Sequence, residues 1–194
     1  MKAHVLSGLD AISRYDRLLK GRRVGLMTNP TGIDHDLRSA IDILHERYGL
    51  SALYGCEHGV RGDAQAGDEV DTAVDPVTGV TVYSVFGKTH RLTEEMLNAF
   101  DVLVFDIQDV GVRFYTYLYS LSYAMEACAK AGKSMLVLDR LNPIGGVKRS
   151  GTILDLKFSS FVGDYELPTQ YALTIGEYAQ YIRSYLKLDL DLTV

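Results

Sequence analysis

The amino-acid sequence predicts a doubly wound α/β fold, in which a mostly parallel sheet carries helices on both faces. Short apolar segments alternate with longer segments of helical periodicity along the chain. The run Val102–Phe105 is apolar without interruption. An unbroken run is typical of a strand covered on both faces, so we place it at the centre of the sheet. Polar residues follow several of the apolar runs, as in sheets that bind ligands beyond the carboxyl ends of their strands.

Length and composition indicate one main globular domain. The chain has 194 residues, 47% of them hydrophobic, and 18 glycines that form no low-complexity run. Its formal charge of −5 argues against a general nucleic-acid binder, which needs clustered basic residues. The two cysteines, Cys56 and Cys128, lie far apart without metal-ligand spacing. They predict free thiols in a reducing compartment.

The sequence shows no export signal and no segment long and apolar enough to span a membrane. Residues 1–10 lack the charged and apolar regions of an export signal, and no later apolar run approaches the length that spans a bilayer. We therefore expect no membrane partner, no nucleic-acid partner and a cytoplasmic location.

The first half of the chain begins with a predicted helix over residues 9–19, which Gly21 ends. A strand over 24–27 follows, and turn-forming residues over 28–32 end it. A second helix is predicted from Leu37 to Tyr48, with Leu37 on its buried face and Gly49 at its end. Strand, polar loop and helix together form a βα unit.

The next strand, 52–55, leads into a glycine-rich segment without periodicity that extends to about residue 79. A loop of this length is uncommon in a compact domain unless it is functional. Residues 81–86 alternate like an edge strand. Thr93 is a predicted N-cap for a short helix that leads into the central strand.

In the second half, residues 116–131 predict an amphipathic helix ended by Gly132, and 135–138 predict a strand. An irregular segment over 148–171 precedes a capping box, Thr174 to Glu177, that opens a helix reaching residue 186. The last residues, 189–194, alternate like the start of a strand with nothing left to pair with it. We therefore expect this edge either to self-associate or to pack against a second domain that this chain lacks.

The parallel arrangement brings four loops to one edge of the sheet. They cover residues 28–32, 57–63, 106–117 and 139–146, and each follows a predicted strand. This edge is the predicted functional site.

Glu57 is a candidate for a catalytic acid. It directly follows an apolar strand, next to His58. A carboxyl group at a sheet edge can be partly desolvated, which raises its pKa toward the value that a general acid needs. The structural alternative is that Glu57 forms an ion pair with Arg61 and only holds the loop.

The loop after the central strand offers Asp106, Gln108 and Asp109. Strand alternation places Asp106 and Gln108 on one side and Asp109 on the other, so the two carboxylates are not expected to act together. We expect Asp109 to pair with Arg113 and tie neighbouring loops.

Other side chains near this edge leave alternatives open. Tyr115, Tyr117 and Tyr119 form either an aromatic platform for a sugar or the packed start of a helix. A metal site from His58, Asp106 and Asp139 is a further alternative. The remaining histidines show no partner spacing and are interpreted as surface residues: His4, His35, His45 and His90.

The sequence lacks the motifs of several common enzyme classes. It has no G-x-G-x-x-G after the first strand, no phosphate-binding P-loop, no G-x-S-x-G and no H-E-x-x-H. No cofactor is predicted.

Seven segments resemble, in order, the exo-β-N-acetylmuramidase family of glycoside hydrolases. They cover nearly the whole chain: 27–32, 57–62, 75–79, 106–117, 139–143, 160–163 and 174–177. The longest reads D-I-Q-D-V-G-V-R-F-Y-T-Y, and motifs of this length are specific.

The resemblance implies release of N-acetylmuramic acid from the non-reducing ends of peptidoglycan fragments. It also implies that residues 1–194 form a Rossmann-like catalytic domain, that the family's smaller C-terminal domain is absent from this chain, and that the site lies between the two. Glu57 matches the acidic residue of the family's E-H-G motif. The candidate contacts to the muramyl sugar are Asn29, Thr31, His58, Arg61, Asp106, Gln108, Arg113, Tyr115, Tyr117, Asp139, Arg140 and Asn142.

These implications lead to a further expectation: the chain alone is weakly active or inactive, because a cleft enzyme needs a second wall to exclude water. A non-catalytic module that binds muramyl sugars or a partner is the alternative from another class, and a metal-dependent hydrolase is the enzymatic one.

Overall fold

A computed structural model describes residues 5–62, 72–87 and 90–194, so the expectations for His4 and Asp63 lie outside the described residues. Its centre is a seven-stranded sheet with the order β3-β4-β2-β1-β5-β6-β9. A two-stranded antiparallel sheet pairs β7 with β8. The strand bounds are β1 Val24–Thr28, β2 Leu50–Gly55, β3 Ala73–Val74, β4 Thr81–Ser84, β5 Val102–Asp106, β6 Ser134–Val137, β7 Ser150–Ile153, β8 Pro168–Gln170 and β9 Leu192–Thr193.

Within the described residues, five α-helices flank the sheet. Their bounds are α1 Asp16–Leu19, α2 Ala40–Tyr48, α3 Glu94–Asn98, α4 Tyr117–Ala131 and α5 Ile175–Tyr185. Short 3-10 helices cover Ile12–Tyr15 and Leu156–Phe158. The first predicted helix is thus partly a 3-10 helix.

The central position predicted for β5 is confirmed. It lies between β1 and β6, and both pairings are parallel. Its side chains alternate between two apolar cores. Leu103 and Phe105 pack with α3, α4 and α5, whereas Val102 and Val104 pack with α1 and α2. Helices therefore cover both faces, and the α/β fold class is confirmed.

Local capping signals determine several helix ends. The Thr93 hydroxyl accepts from the Met96 amide at 3.3 Å. Thr174 and Glu177 form the predicted capping box of α5. Gly132 ends α4 in the left-handed conformation, with φ of 63°. These signals depend only on neighbouring residues, which is why the sequence predicts them well.

Four expectations for single elements are wrong. Residues 148–171, expected to be irregular, contain β7, β8 and the second 3-10 helix. The predicted edge strand β4 is covered by β3, which pairs with it in the antiparallel direction. Leu37 precedes α2, is 75% exposed and has φ of 63°, so it is not on the buried face. The last strand has a partner after all, because β9 pairs with β6 in parallel.

Cys56 and Cys128 are free thiols, as predicted, and the structure shows that both are buried. Among the residues that the structure describes, no helix is both long enough and apolar enough to cross a membrane.

Candidate active site

The carboxyl ends of the parallel strands bring the predicted loops together. The loops after β1 and β5 are joined by two hydrogen bonds. The Thr28 hydroxyl donates to the Asp106 carbonyl at 2.7 Å, and the Gln108 amide donates to the Thr31 hydroxyl at 2.9 Å. Gly32 stands where Thr28 and Asp106 approach it, and a Cβ there would lie 2.2 Å from the Thr28 hydroxyl. The site is therefore built on a rigid edge.

A hollow of about 370 Å³ lies beyond β2 and contains Glu57. Its walls are mostly aromatic or apolar, which suits the faces of a sugar ring. Glu57 is the one carboxylate among the described residues that line it. The lining residues are Glu57, His58, Phe86, Phe114, Tyr115, Thr116, Tyr117, Phe161 and Val162.

Glu57 is half-buried at the end of its strand. The Thr116 hydroxyl donates a hydrogen bond of 3.2 Å to Glu57 Oε2. The structural alternative, an ion pair between Glu57 and Arg61, is wrong. Arg61 instead binds Asp75 at 2.5 Å and Asp42 at 2.9 Å. These two ion pairs hold the start of the glycine-rich segment against the rest of the domain.

His58 follows Glu57 with φ of 73°, a left-handed conformation that is uncommon outside glycine. The next residue, Gly59, has the same φ. The chain thus turns sharply just after the acid, and this turn places the His58 side chain in the wall of the hollow.

One of the three tyrosines packs in the core at the start of α4, and the other two form part of an aromatic wall. Tyr119 is fully buried, and its hydroxyl donates to the Arg113 carbonyl. Tyr115 and Tyr117 line the hollow instead. Burial raises the pKa of Tyr117, and a hydrogen bond with the Asn29 side chain opposes that rise. Asn29 also accepts from the Thr31 amide and hydroxyl, so it connects the β1 loop to this aromatic wall.

Asp106 does not face the hollow. It is fully buried, and Arg140 binds both of its oxygens at 2.7 and 2.9 Å. Arg140 also donates to the Ile33 carbonyl at 2.9 Å. Through these hydrogen bonds, Arg140 joins the ends of β5 and β6 to the loop after β1.

The expected ion pair between Asp109 and Arg113 is absent from the described residues. Arg113 instead donates to the carbonyls of Thr152 and Leu167, and so holds the second sheet. Asp109 Oδ2 accepts from the Gly111 amide at 2.7 Å and from the Tyr171 hydroxyl. Burial raises the pKa of Asp109 to about 6, although the Gly111 hydrogen bond opposes the rise.

Side chains of the loop after β6 form hydrogen bonds with the start of α5 and with the residues before it. Asp139 accepts from the Gly176 amide at 2.8 Å and from the Thr174 hydroxyl at 2.9 Å, at the start of α5. The Asn142 amide donates to the Leu173 carbonyl at 2.9 Å. Both side chains therefore position α5 and the segment before it.

A second hollow, of about 490 Å³, is lined by Gln108, Asp139 and Arg140 together with residues of the N-terminal segment. Of the twelve predicted sugar contacts, three line the Glu57 hollow and three line this second hollow, and the other six line neither. The metal alternative loses its support, because Asp106 is bound to Arg140 and Asp139 caps α5. Among the described residues, no group of three or more metal-binding side chains comes together.

Two of the histidines interpreted as surface residues are only partly exposed. His90 stacks on Phe161 with ring centroids 3.8 Å apart, and the Nδ1 atom of His45 is buried. His35 is exposed and lies 2.9 Å from Asp10, as expected for a surface residue.

Sequence reasoning missed five residues of the Glu57 hollow: Phe86, Phe114, Thr116, Phe161 and Val162. Phe161 comes from the irregular segment before α5, where periodicity carries no information. The one available signal was its place within 160–163, one of the segments that carry the family resemblance.

Comparisons with known proteins show the family and the fold of the chain. The family described as "Exo-beta-N-acetylmuramidase NamZ, N-terminal" matches residues 24–194. A curated relative from Bacillus subtilis (strain 168), named peptidoglycan beta-N-acetylmuramidase NamZ, is 52% identical over 196 residues. That alignment covers 100% of this chain and 47% of the relative.

Two solved structures of DUF1343 family proteins, both from Bacteroides fragilis NCTC 9343, have the same fold. The first is 46% identical, with a TM-score of 0.89. The match covers 97% of this chain and 49% of the chain in the solved structure. The second is 32% identical, with a TM-score of 0.81. That match covers 99% of this chain and 51% of the chain in the solved structure. The chain therefore spans about half the length of these relatives.

Proposed function

Because the chain belongs to the exo-β-N-acetylmuramidase NamZ N-terminal family, we propose that it is the catalytic part of a glycoside hydrolase. Its substrate is a muramyl sugar derived from peptidoglycan, from which it releases N-acetylmuramic acid at the non-reducing end. The observation that carries this proposal is the position of Glu57 in a hollow with aromatic walls, while Arg61 pairs with Asp75 and not with Glu57.

Glu57 acts as the general acid in this proposal. Its carboxyl proton passes to the glycosidic oxygen while the bond between that oxygen and the anomeric carbon breaks. Tyr115, Tyr117 and His58 line the same hollow and are the proposed sugar contacts. Asp106, Asp139, Arg140 and Asn142 support the surrounding loops through the contacts described above.

Glycosidases of this kind use a second carboxyl group or an equivalent base on the opposite face of the sugar. Among the described residues that line the hollow, Glu57 is the one with a carboxyl group. We propose that further sequence, of the kind that makes the relatives twice as long, supplies the opposite wall of the cleft. Residues 1–194 then form the Rossmann-like domain of a two-domain enzyme.

The exposed apolar side chains support this arrangement. Many of them come from the segment between β6 and α5 or from the residues just before α4. Exposed apolar side chains that form a contiguous patch generally pack against another protein surface. These side chains are Phe114, Tyr115, Leu141, Ile144, Val147, Ile153, Leu156, Phe158 and Val162.

The substitution Glu57→Gln tests the catalytic role. The amide keeps the shape of the carboxyl group but has no proton of suitable acidity to donate, so we expect turnover of a chromogenic β-N-acetylmuramide to fall ~10²-fold or more. Sugar binding, measured by calorimetry, should change little.

Glu46→Gln is the matched control. Glu46 is exposed and pairs with Arg38 at 2.7 Å, remote from the hollow's lining. Its substitution should leave turnover unchanged. Full activity of Glu57→Gln would remove Glu57 as the acid, whereas saturable sugar binding without turnover in every form of the protein would favour the non-catalytic binding module.

The proposed chemistry uses carboxyl groups and not a metal ion. We therefore expect turnover to be the same before and after dialysis against a chelator. A loss of activity that added divalent metal restores would return the metal-dependent hydrolase to consideration.

A further inference from the structure

Thr116 occupies a helix N-cap position but does not use its side chain as a cap. It directly precedes α4, the longest described helix. An N-cap threonine usually has an extended backbone, and its hydroxyl accepts from an amide of the first turn. Thr116 instead has φ of −71° and ψ of −19°, and it makes no side-chain cap hydrogen bond.

The other helices of the same chain give the comparison. Ser39, Thr93 and Thr174 precede α2, α3 and α5, with ψ of 138°, 169° and 167°. Each of these hydroxyls accepts from a backbone amide of its own helix. The Thr116 hydroxyl alone among these four is directed elsewhere, and it donates to Glu57 Oε2 at 3.2 Å.

We infer that Thr116 is a positioning residue for Glu57, an inference that rests on the proposed function. A glutamate side chain rotates about three bonds, and fixing it costs conformational entropy. The Thr116 hydroxyl holds Oε2 and leaves Oε1 to carry the proton. Since both residues line the same hollow, this contact fixes the carboxyl group where the sugar binds.

The contact becomes stronger as the reaction proceeds. When the glycosidic bond breaks, its electron pair goes to the leaving oxygen, and that oxygen takes the proton of Glu57. Glu57 is left as a carboxylate. Hydrogen bonds to a charged acceptor are stronger than those to a neutral one. Thr116 therefore stabilises the transition state more than the bound substrate, and its loss should lower kcat and not raise KM.

Thr116→Val tests this inference, because valine keeps the shape of threonine and removes the hydroxyl. The assay uses whichever form of the protein, this chain or its longer form, hydrolyses a chromogenic β-N-acetylmuramide. We expect kcat to fall roughly tenfold, as for the loss of one hydrogen bond to a charged group, while KM stays within about twofold. Thr116→Ser, which keeps the hydroxyl, should restore most of kcat.

Thr93→Val is the matched control, because its hydroxyl does cap a helix. We expect it to lower Tm by a few degrees and to leave kcat unchanged. Thr116→Val should show the opposite pattern, with a small change in Tm and a large one in kcat. An unchanged kcat in Thr116→Val, or a loss that serine does not restore, overturns the inference.

Crystal structures separate failure of this inference from failure of the proposed function. If no form of the wild-type protein hydrolyses the muramide, the proposed function fails. The inference is then decided by the Glu57 side chain in crystals of Thr116→Val. A carboxyl group that turns away or loses its single conformation upholds it, and a carboxyl group in the wild-type position overturns it.

Discussion

At the scale of single residues, the buried carboxyl of Asp109 gives the domain an unusual pH dependence. Its pKa is raised to about 6, so the folded state binds this proton more tightly than the unfolded state does. The stabilising contribution is fully present below pH ~4, the unfolded pKa, and is lost as the pH rises to about 6. The loss is on the order of 3 kcal/mol.

Asp109→Asn should remove this part of the pH dependence, because an amide does not titrate. Urea unfolding between pH 4 and pH 7 measures the effect for wild type and variant. Asp189→Asn makes the same chemical change at an exposed position and should leave the wild-type curve intact. Parallel curves for wild type and Asp109→Asn would contradict the assignment.

Residue-level contacts show where prediction from sequence stops. The position of Glu57 at a strand end follows from the pattern around it. The partner of Asp109 does not, because Tyr171 lies 62 residues further along the chain and approaches it only in the folded domain. Arg113, the nearer candidate by sequence, binds carbonyls of the second sheet instead.

At the scale of elements, removal of one partner from the buried Asp106–Arg140 ion pair should strongly destabilise the sheet edge. The two side chains are 0% and 8% exposed, and they join β5 to β6. Arg140→Met leaves the Asp106 carboxylate buried without its partner, so we expect it to cost about 3–5 kcal/mol of unfolding free energy. The double variant Asp106→Leu/Arg140→Met should lose less than Arg140→Met alone.

Arg23 and Asp101 provide the control for this experiment. They also form an ion pair near the central strand, at 2.6 Å, but their side chains are 54% and 37% exposed. Arg23→Met should therefore cost less than about 1 kcal/mol. Equal costs for the two arginine variants in urea unfolding would show that burial does not determine the effect.

Elements with local signals were predictable, and elements without them were not. Thr93, Gly132 and Thr174 define helix ends through contacts with their own neighbours. The two-residue strand β3 has no such signal, because it exists only through pairing with β4. Leu37 has an apolar side chain at helical spacing, yet the backbone before α2 is fixed by a bridge between Ile33 and Ser39.

At the scale of the whole molecule, the exposed apolar side chains between β6 and α5 predict dependence on further sequence. We expect this chain alone to hydrolyse a chromogenic β-N-acetylmuramide weakly or not at all, and a longer form to be active. The reason is that an open hollow admits water and holds the sugar from one side only. Equal specific activity of the two forms would contradict the proposal.

A matched pair of variants locates the surface involved. Phe158 is 67% exposed within this segment, whereas Val77 is 69% exposed on the turn before β4. Phe158→Ser should increase the solubility of the short form and weaken the activity of the longer one. Val77→Ser should change neither property.

The central position of β1 has a consequence for synthesis on the ribosome. β1 emerges early but needs β5 as its second neighbour, and the paired residues Thr28 and Asp106 are 78 positions apart. Contacts between residues so far apart are slow to form. A nascent chain that has not yet reached β5 thus holds β1 and β2 with an open edge, and is most exposed to aggregation during that interval.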